Sequence, residues 1–176
     1  MDVVLVVDMQ AGLLDGGPKH DLAGVIGRIY GGNGAVRRRG GKVIWIRHCG
    51  TPGDGFGRGE PGWAFLPGID RQADDLVVEK TLNDAFAGTA LQETLTHLAP
   101  DRLLVSGWAT DFCVDSTIRS AVSHGHSVVV VADAHTLADR PHLDAASVIR
   151  HHNWVWGGPI TSLPVRVAPA AELIGD

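Results

Sequence analysis

The sequence predicts an α/β fold, a parallel sheet flanked by helices, and two observations carry that reading. Short β-branched runs alternate with longer stretches of helical periodicity, the pattern of strands joined by helical crossovers. The length of 176 residues, with 44% hydrophobic and 20% charged, suits one ordinary globular domain over residues 1–176 with a single core. No internal repeat or low-complexity tract marks a second unit.

The first strand covers residues 3–7. Its apolar run lacks a cationic flank and stops at Asp8 and Gln10, so it reads as a strand and not as a signal peptide. A helix follows over residues 20–39. It contains Gly24, Gly27, Gly31, Gly32 and Gly34, each costing about 1 kcal/mol relative to Ala, so its second half is weak and Tyr30 is a candidate end. Arg37, Arg38 and Arg39 suit a helix C-terminus, where cations meet the negative end of the dipole.

The second strand covers 42–47 and leads through His48 and Cys49 into a long irregular stretch that lasts to residue 75. Phe56, Trp63 and Phe65 in that stretch supply either the apolar underside of a lid or anchors that pin the loop to the body. Strands at 75–78, 102–106, 127–132 and a short one at 165–167 then alternate with helices at 89–98, 111–124 and 141–151. His124 and His126 flank a turn at Gly125, and His151 and His152 close the last helix, so neither pair requires a ligand role. Trp154 and Trp156 suggest an extended segment with one apolar face, suited to the core or to a subunit contact.

A net charge of −5, with no basic run beyond the three arginines, argues against nucleic acid or an anionic membrane as a partner. No apolar run approaches the roughly 20 residues of a membrane span, so a soluble, cytoplasmic protein is expected. The two cysteines, Cys49 and Cys113, are too few for a disulfide framework and read as free thiols.

In an open parallel sheet, ligands bind outside the carboxyl ends of the strands. Asp8 follows the first strand, Lys80 the third, and Cys113 lies just after the fourth, where a small-residue turn enters a helix. A helix N-terminus lowers a thiol pKa and offers N–H donors to an oxyanion. The carboxylate would accept the thiol proton and the ammonium would favour the thiolate. Singly, these residues have ordinary roles as a turn cap, a solvated lysine and a small core residue. At the ends of strands expected to be neighbours, they read as a site.

These residues also carry a resemblance. Asp8-x-Gln10, Glu79-Lys80 followed by Asp84-Ala85-Phe86 and Thr89, Gly107-x-x-Thr110-x-x-Cys113-Val114, and Ala132-Asp133-Ala134 occur in the order of the signatures of the isochorismatase-like cysteine hydrolases, which the chain resembles over most of its length. The resemblance implies a three-layer, doubly wound, Rossmann-like fold with a six-stranded parallel sheet, and a triad of Asp8, Lys80 and Cys113. It implies a cis peptide between Trp108 and Ala109, and an oxyanion hole from the N–H groups of Ala109 and Cys113. Gln10 and Asp133 match positions that support their neighbours. A homo-oligomer, dimer or tetramer, is expected because such proteins commonly assemble.

The departures are equally informative. The nicotinamidases of that family bind zinc through an Asp-x-His pair and a further His after the second strand, whereas this chain has His48, Cys49 and Asp54 there and no further His between His48 and His97. No metal and no cofactor is therefore expected, and nicotinamidase activity is disfavoured. The branch that hydrolyses the vinyl ether of isochorismate typically lacks the cysteine, so Cys113 with Lys80 favours cleavage of an amide, imide or carbamoyl C–N bond. The expected pocket for a small-molecule substrate has walls of Leu13, Leu14, His48, Trp63, Phe65, Phe86, Trp108 and Thr110, with Gln10 beside them. The competing readings are a vinyl-ether hydrolase, a binding protein that kept the fold without the chemistry, and a peroxide-reducing thiol protein with Cys49 as its resolving cysteine.

Overall fold

A computed structural model describes residues 1–158, 161, 163 and 165–175. Strand β1 (Asp2–Val7) is buried from Val3 to Val7 because it lies at the centre of a sheet covered on both sides. Around it run β2 (Lys42–His48), β3 (Leu76–Lys80), β4 (Arg102–Trp108), β5 (Val128–Thr136) and β6 (Val165–Ala168). The order is β3-β2-β1-β4-β5-β6, and every neighbouring pair is parallel. This is the six-stranded, doubly wound sheet that the sequence implied. The winding reverses between β1 and β4, so the crevice for a ligand lies at their carboxyl ends.

The period-2 alternation of β1 distributes the core. Val3, Leu5 and Val7 pack with α3 (Leu91–Leu98) and α4 (Asp115–Ser123) through Leu91, Leu95, Ile118 and Ala121. Val4 and Val6 face the opposite layer, which holds α2 (Leu22–Arg38) and α6 (Ala170–Gly175) through Val25, Ile29, Val36 and Leu173. A short α1 (Ala11–Leu14) and α6 are helices beyond those expected from the sequence.

Two helices differ from expectation. Helix α2 continues past Tyr30 to Arg38 despite its glycines. Val36 packs against the sheet, and Arg37 binds Asp70 at 2.8 Å and Asp75 at 2.5 Å, so tertiary contacts offset the weak propensity of that half. Helix α5 (Ala145–Gly157) starts later and ends later than residues 141–151. Asp144 caps it by accepting the Ser147 N–H at 2.8 Å. His151 and His152 therefore lie inside the helix and not at its end. Trp154 and Trp156 are helical and point apart: Trp156 is 2% exposed and Trp154 is 78% exposed. Their spacing of two gives a shared face only on a strand.

The 49–75 stretch is pinned to the body, not free as a lid. The Arg47 guanidinium lies 3.5 Å from the Trp63 ring centroid and 4.9 Å from that of Phe65. Glu79 accepts hydrogen bonds from Arg47 at 2.8 Å, Arg58 at 2.8 Å and the Trp63 indole at 3.1 Å. Burial pushes the Glu79 carboxyl up, but Arg58 and Arg47 together hold it below the ordinary value. Glu79→Ala should therefore release the loop: limited proteolysis within residues 51–62 is expected to accelerate by about tenfold, the effect of some 1.4 kcal/mol on local opening. Cleavage at the wild-type rate would show that the anchor lies elsewhere.

Candidate active site

Three strand ends converge at the crevice. Asp8 follows β1 with φ 50°, a left-handed conformation that Asp tolerates better than most side chains. Its N–H donates to the Ile46 carbonyl at 3.0 Å. Lys80 is the last residue of β3. Strand β4 ends at Trp108, the Trp108–Ala109 bond is cis, and residues Thr110–Val114 form a π-helical turn ahead of α4 that carries Cys113. Gly107 makes this approach possible, because at φ +120° any Cβ would collide with the Val7 carbonyl of β1.

The Lys80 ammonium has three neighbours: an Asp8 carboxylate oxygen at 2.6 Å, the Leu82 carbonyl at 3.0 Å and Cys113 Sγ at 3.4 Å. Asp8 and Lys80 are both buried. Strands β1 and β3 are not neighbours, contrary to the expectation, since β2 lies between them and His48 pairs in register with Lys80. The long lysine stem spans that extra strand. Although close to Lys80, neither Asp8 carboxylate oxygen receives a well-aligned hydrogen bond, which leaves a buried acceptor with lone pairs to spare. The Cys113 thiol also lies 3.7 Å from Asn83 Oδ1, where it can donate.

The electrostatics run against the expected low thiol pKa. Burial, and then the adjacent Asp8 charge, push the Cys113 thiol up to about 12, with Lys80 opposing. The positive end of a helix does not overcome a desolvated site that already holds a carboxylate. Burial also raises Asp8, with Lys80 as the main opposing charge. At neutral pH the sulfur is a protonated thiol, so any thiolate must be made by local proton transfer.

These groups open onto a cavity of about 340 Å3. Asp8, Ala109 and Cys113 line its reactive end; Leu13, His48 and Trp108 are walls, as expected. Asn83, Phe112 and Arg140 also line it and were not expected. Phe112 and Asn83 are near neighbours in sequence of Cys113 and Lys80, a signal that was available. Arg140 is brought in by a fork onto Asp111 at 2.6 and 2.8 Å, which no sequence pattern announces.

The remaining expected wall residues lie elsewhere. Leu14 is in the core beside α2, and Phe86 is in the core beneath α3, stacked on His124 at 4.9 Å. Trp63 and Phe65 clasp Arg47, and Thr110 is buried against His135. Gln10 supports the wall from behind, accepting the His48 N–H at 2.7 Å and donating to the His48 carbonyl at 2.9 Å. Asp133 is not a site support: it accepts the Ala170 N–H at 2.8 Å at the start of α6. Among the described residues no three His, Cys, Asp or Glu side chains are grouped to hold a metal ion, and no helix is long and apolar enough to cross a membrane.

A family model described as the isochorismatase domain matches residues 2–155. A streptothricin hydrolase of Streptomyces noursei is 30% identical over 172 residues, covering 93% of this chain and 62% of that protein, so the chain spans less than two thirds of that relative. A ureidoacrylate amidohydrolase, RutB, of Methylorubrum extorquens is 27% identical over 83% of this chain and 74% of its own length. The crystal structure of a cysteine hydrolase from Pseudomonas syringae pv. phaseolicola 1448A superposes with a TM-score of 0.87 at 26% identity, over 99% of this chain and 91% of that one.

Proposed function

This chain belongs to the isochorismatase family, and from that premise we propose that it is a cysteine amidohydrolase cleaving an amide, imide or carbamoyl C–N bond of a small molecule. One observation carries the reading: the Lys80 ammonium lies between the Asp8 carboxylate at 2.6 Å and the Cys113 sulfur at 3.4 Å, at the edge of a cavity of small-molecule size. Similarity to a streptothricin hydrolase and a ureidoacrylate amidohydrolase supports amide-type chemistry.

In this reading Asp8 takes the Cys113 proton as the sulfur attacks the carbonyl carbon, which turns a poor resting nucleophile into a thiolate only in the presence of substrate. Lys80 holds the two groups together and offsets the charge that develops. The N–H groups of Ala109 and Cys113 serve the oxyanion. Asp8 then passes the proton to the departing nitrogen, which leaves as the C–N bond breaks. A water, giving its proton to Asp8, next attacks the thioester; its oxygen stays with the acid product, and the proton returns to the sulfur. No step is assigned to a metal. The apolar surfaces of Leu13, Trp108 and Phe112 suit a planar or cyclic substrate, and Asp111 balances the charge of Arg140.

A screen of small amides, lactams and ureido compounds should give turnover that Cys113→Ala lowers by at least about 10³-fold, with the variant still binding substrate. Single-turnover mass spectrometry should trap an acyl adduct on Cys113. Turnover retained by Cys113→Ala would sink the thioester and leave proton donation by Asp8, as in vinyl-ether hydrolysis, as the better account.

A further inference from the structure

The buried imidazole of His135 has no part in the chemistry above, yet it contacts Thr110, the first residue of the turn that carries the nucleophile. Strand β5 slips register against β4 between the Val105–Val130 and Gly107–His135 pairs. Such a bulge re-aims side chains, and here it sets His135 opposite Gly107. His135 Nδ1 lies 2.9 Å from Thr110 Oγ1, and Nε2 lies 3.1 Å from Asn153 Oδ1. Thr110 and His135 are 0% and 1% exposed.

The donors and acceptors allow one assignment. Asn153 Nδ2 donates to the Ala132 carbonyl at 2.9 Å, so Asn153 Oδ1 is the acceptor facing the ring and Nε2 carries the hydrogen. Burial lowers the His135 pKa to about 4, so the ring is neutral and Nδ1 is an acceptor. The Thr110 hydroxyl therefore donates inward. Thr110 is the first residue of the π-helical turn that carries Asp111, Phe112 and Cys113. The N–H groups of Phe112 and Val114 both crowd onto the Ala109 carbonyl at 3.1 Å, an arrangement that a slack turn would not keep.

We propose that His135, oriented by Asn153, is a positioning residue that holds Thr110 and through it sets the depth of the Cys113 sulfur between Asp8 and Lys80. The inference rests on the reading of Cys113 as the nucleophile. Asn offers an acceptor where His presents Nδ1, whereas Gln reaches toward Nε2, so two conservative variants separate the contacts.

The test follows iodoacetamide alkylation of Cys113 at pH 8 by peptide mass spectrometry, with Cys49 in the same chain as the reference thiol, alongside melting curves. Thr110→Val and His135→Gln should loosen the turn, admit water to the sulfur and raise the Cys113-to-Cys49 rate ratio by about threefold or more, the change that half a pKa unit makes in thiolate population. Thr110→Ser and His135→Asn should stay near the wild-type ratio. His135→Asn and His135→Gln should lose similar thermal stability, so a ratio that follows melting temperature, or does not rise in Thr110→Val, overturns the proposal. Alkylation reports where the sulfur sits whether or not it turns over substrate, so failure of the hydrolase reading would show separately, as activity that survives Cys113→Ala.

Discussion

Asp8→Asn should make Cys113 easier to alkylate and the protein a worse hydrolase. After burial, the Asp8 charge is the largest cause that pushes the thiol up to about 12. Asparagine removes that charge but leaves the Lys80 ammonium 3.4 Å from the sulfur, so the balance shifts toward the thiolate. The alkylation midpoint should fall by at least about one pH unit, and the rate at pH 8 should rise several-fold. Hydrolysis should fall by about 10² to 10⁴-fold, the usual contribution of a general base, because the amide cannot accept the thiol proton or return it to the leaving nitrogen. The two opposite changes distinguish a base from a scaffold. If alkylation slowed instead, Asp8 would be stabilising the thiolate, and a resting ion pair between Cys113 and Lys80 would replace the present account.

The strands were legible because a central parallel strand is buried on both faces, and Val3 to Val7 can be read as such without coordinates. Asp8, Lys80 and Cys113 were legible because strand ends are where such a sheet delivers chemistry. The ionisation state of Cys113 was not, since it depends on burial and on the nearby Asp8 charge, neither of which a helix end reveals. The walls were half legible. Phe86 and Leu14 turn into the core because each follows the packing of its own segment, while Arg140 arrives through an ion pair with Asp111, far from it in sequence. The course of α5 differs from the expected 141–151 at both ends, because Asp144 caps the helix and is not within it, and because Trp154 and Trp156 lie in the helix and not on an extended segment.

Lys80→Met should destabilise the protein in a manner that depends on pH, with the sign opposite to ordinary acid sensitivity. Removing one partner of a buried pair leaves the other charge uncompensated, which typically costs about 3 to 5 kcal/mol. Here the survivor is Asp8, already raised above 3.8 by burial with Lys80 as its main opposing charge. Without Lys80 its folded-state pKa rises further, so the native protein holds a proton that the unfolded chain has released. Native binding of more protons means that stability falls as pH rises from about 3.8 through the raised value. Urea unfolding should therefore find the variant closest to wild type near pH 5 and furthest from it near pH 8. His135 acts in the reverse direction: its pKa is lowered from 6.5 to about 4, so its contribution is lost as pH falls across that window. Because His135 is present in both proteins, the difference between them isolates Asp8. Adding Asp8→Asn to Lys80→Met should recover most of the loss at pH 8, since a neutral amide has no charge to strand. A constant deficit from pH 5 to 8, unrelieved in the double variant, would mean that Lys80 supports the fold through its packed stem and the Leu82 carbonyl and not through the carboxylate.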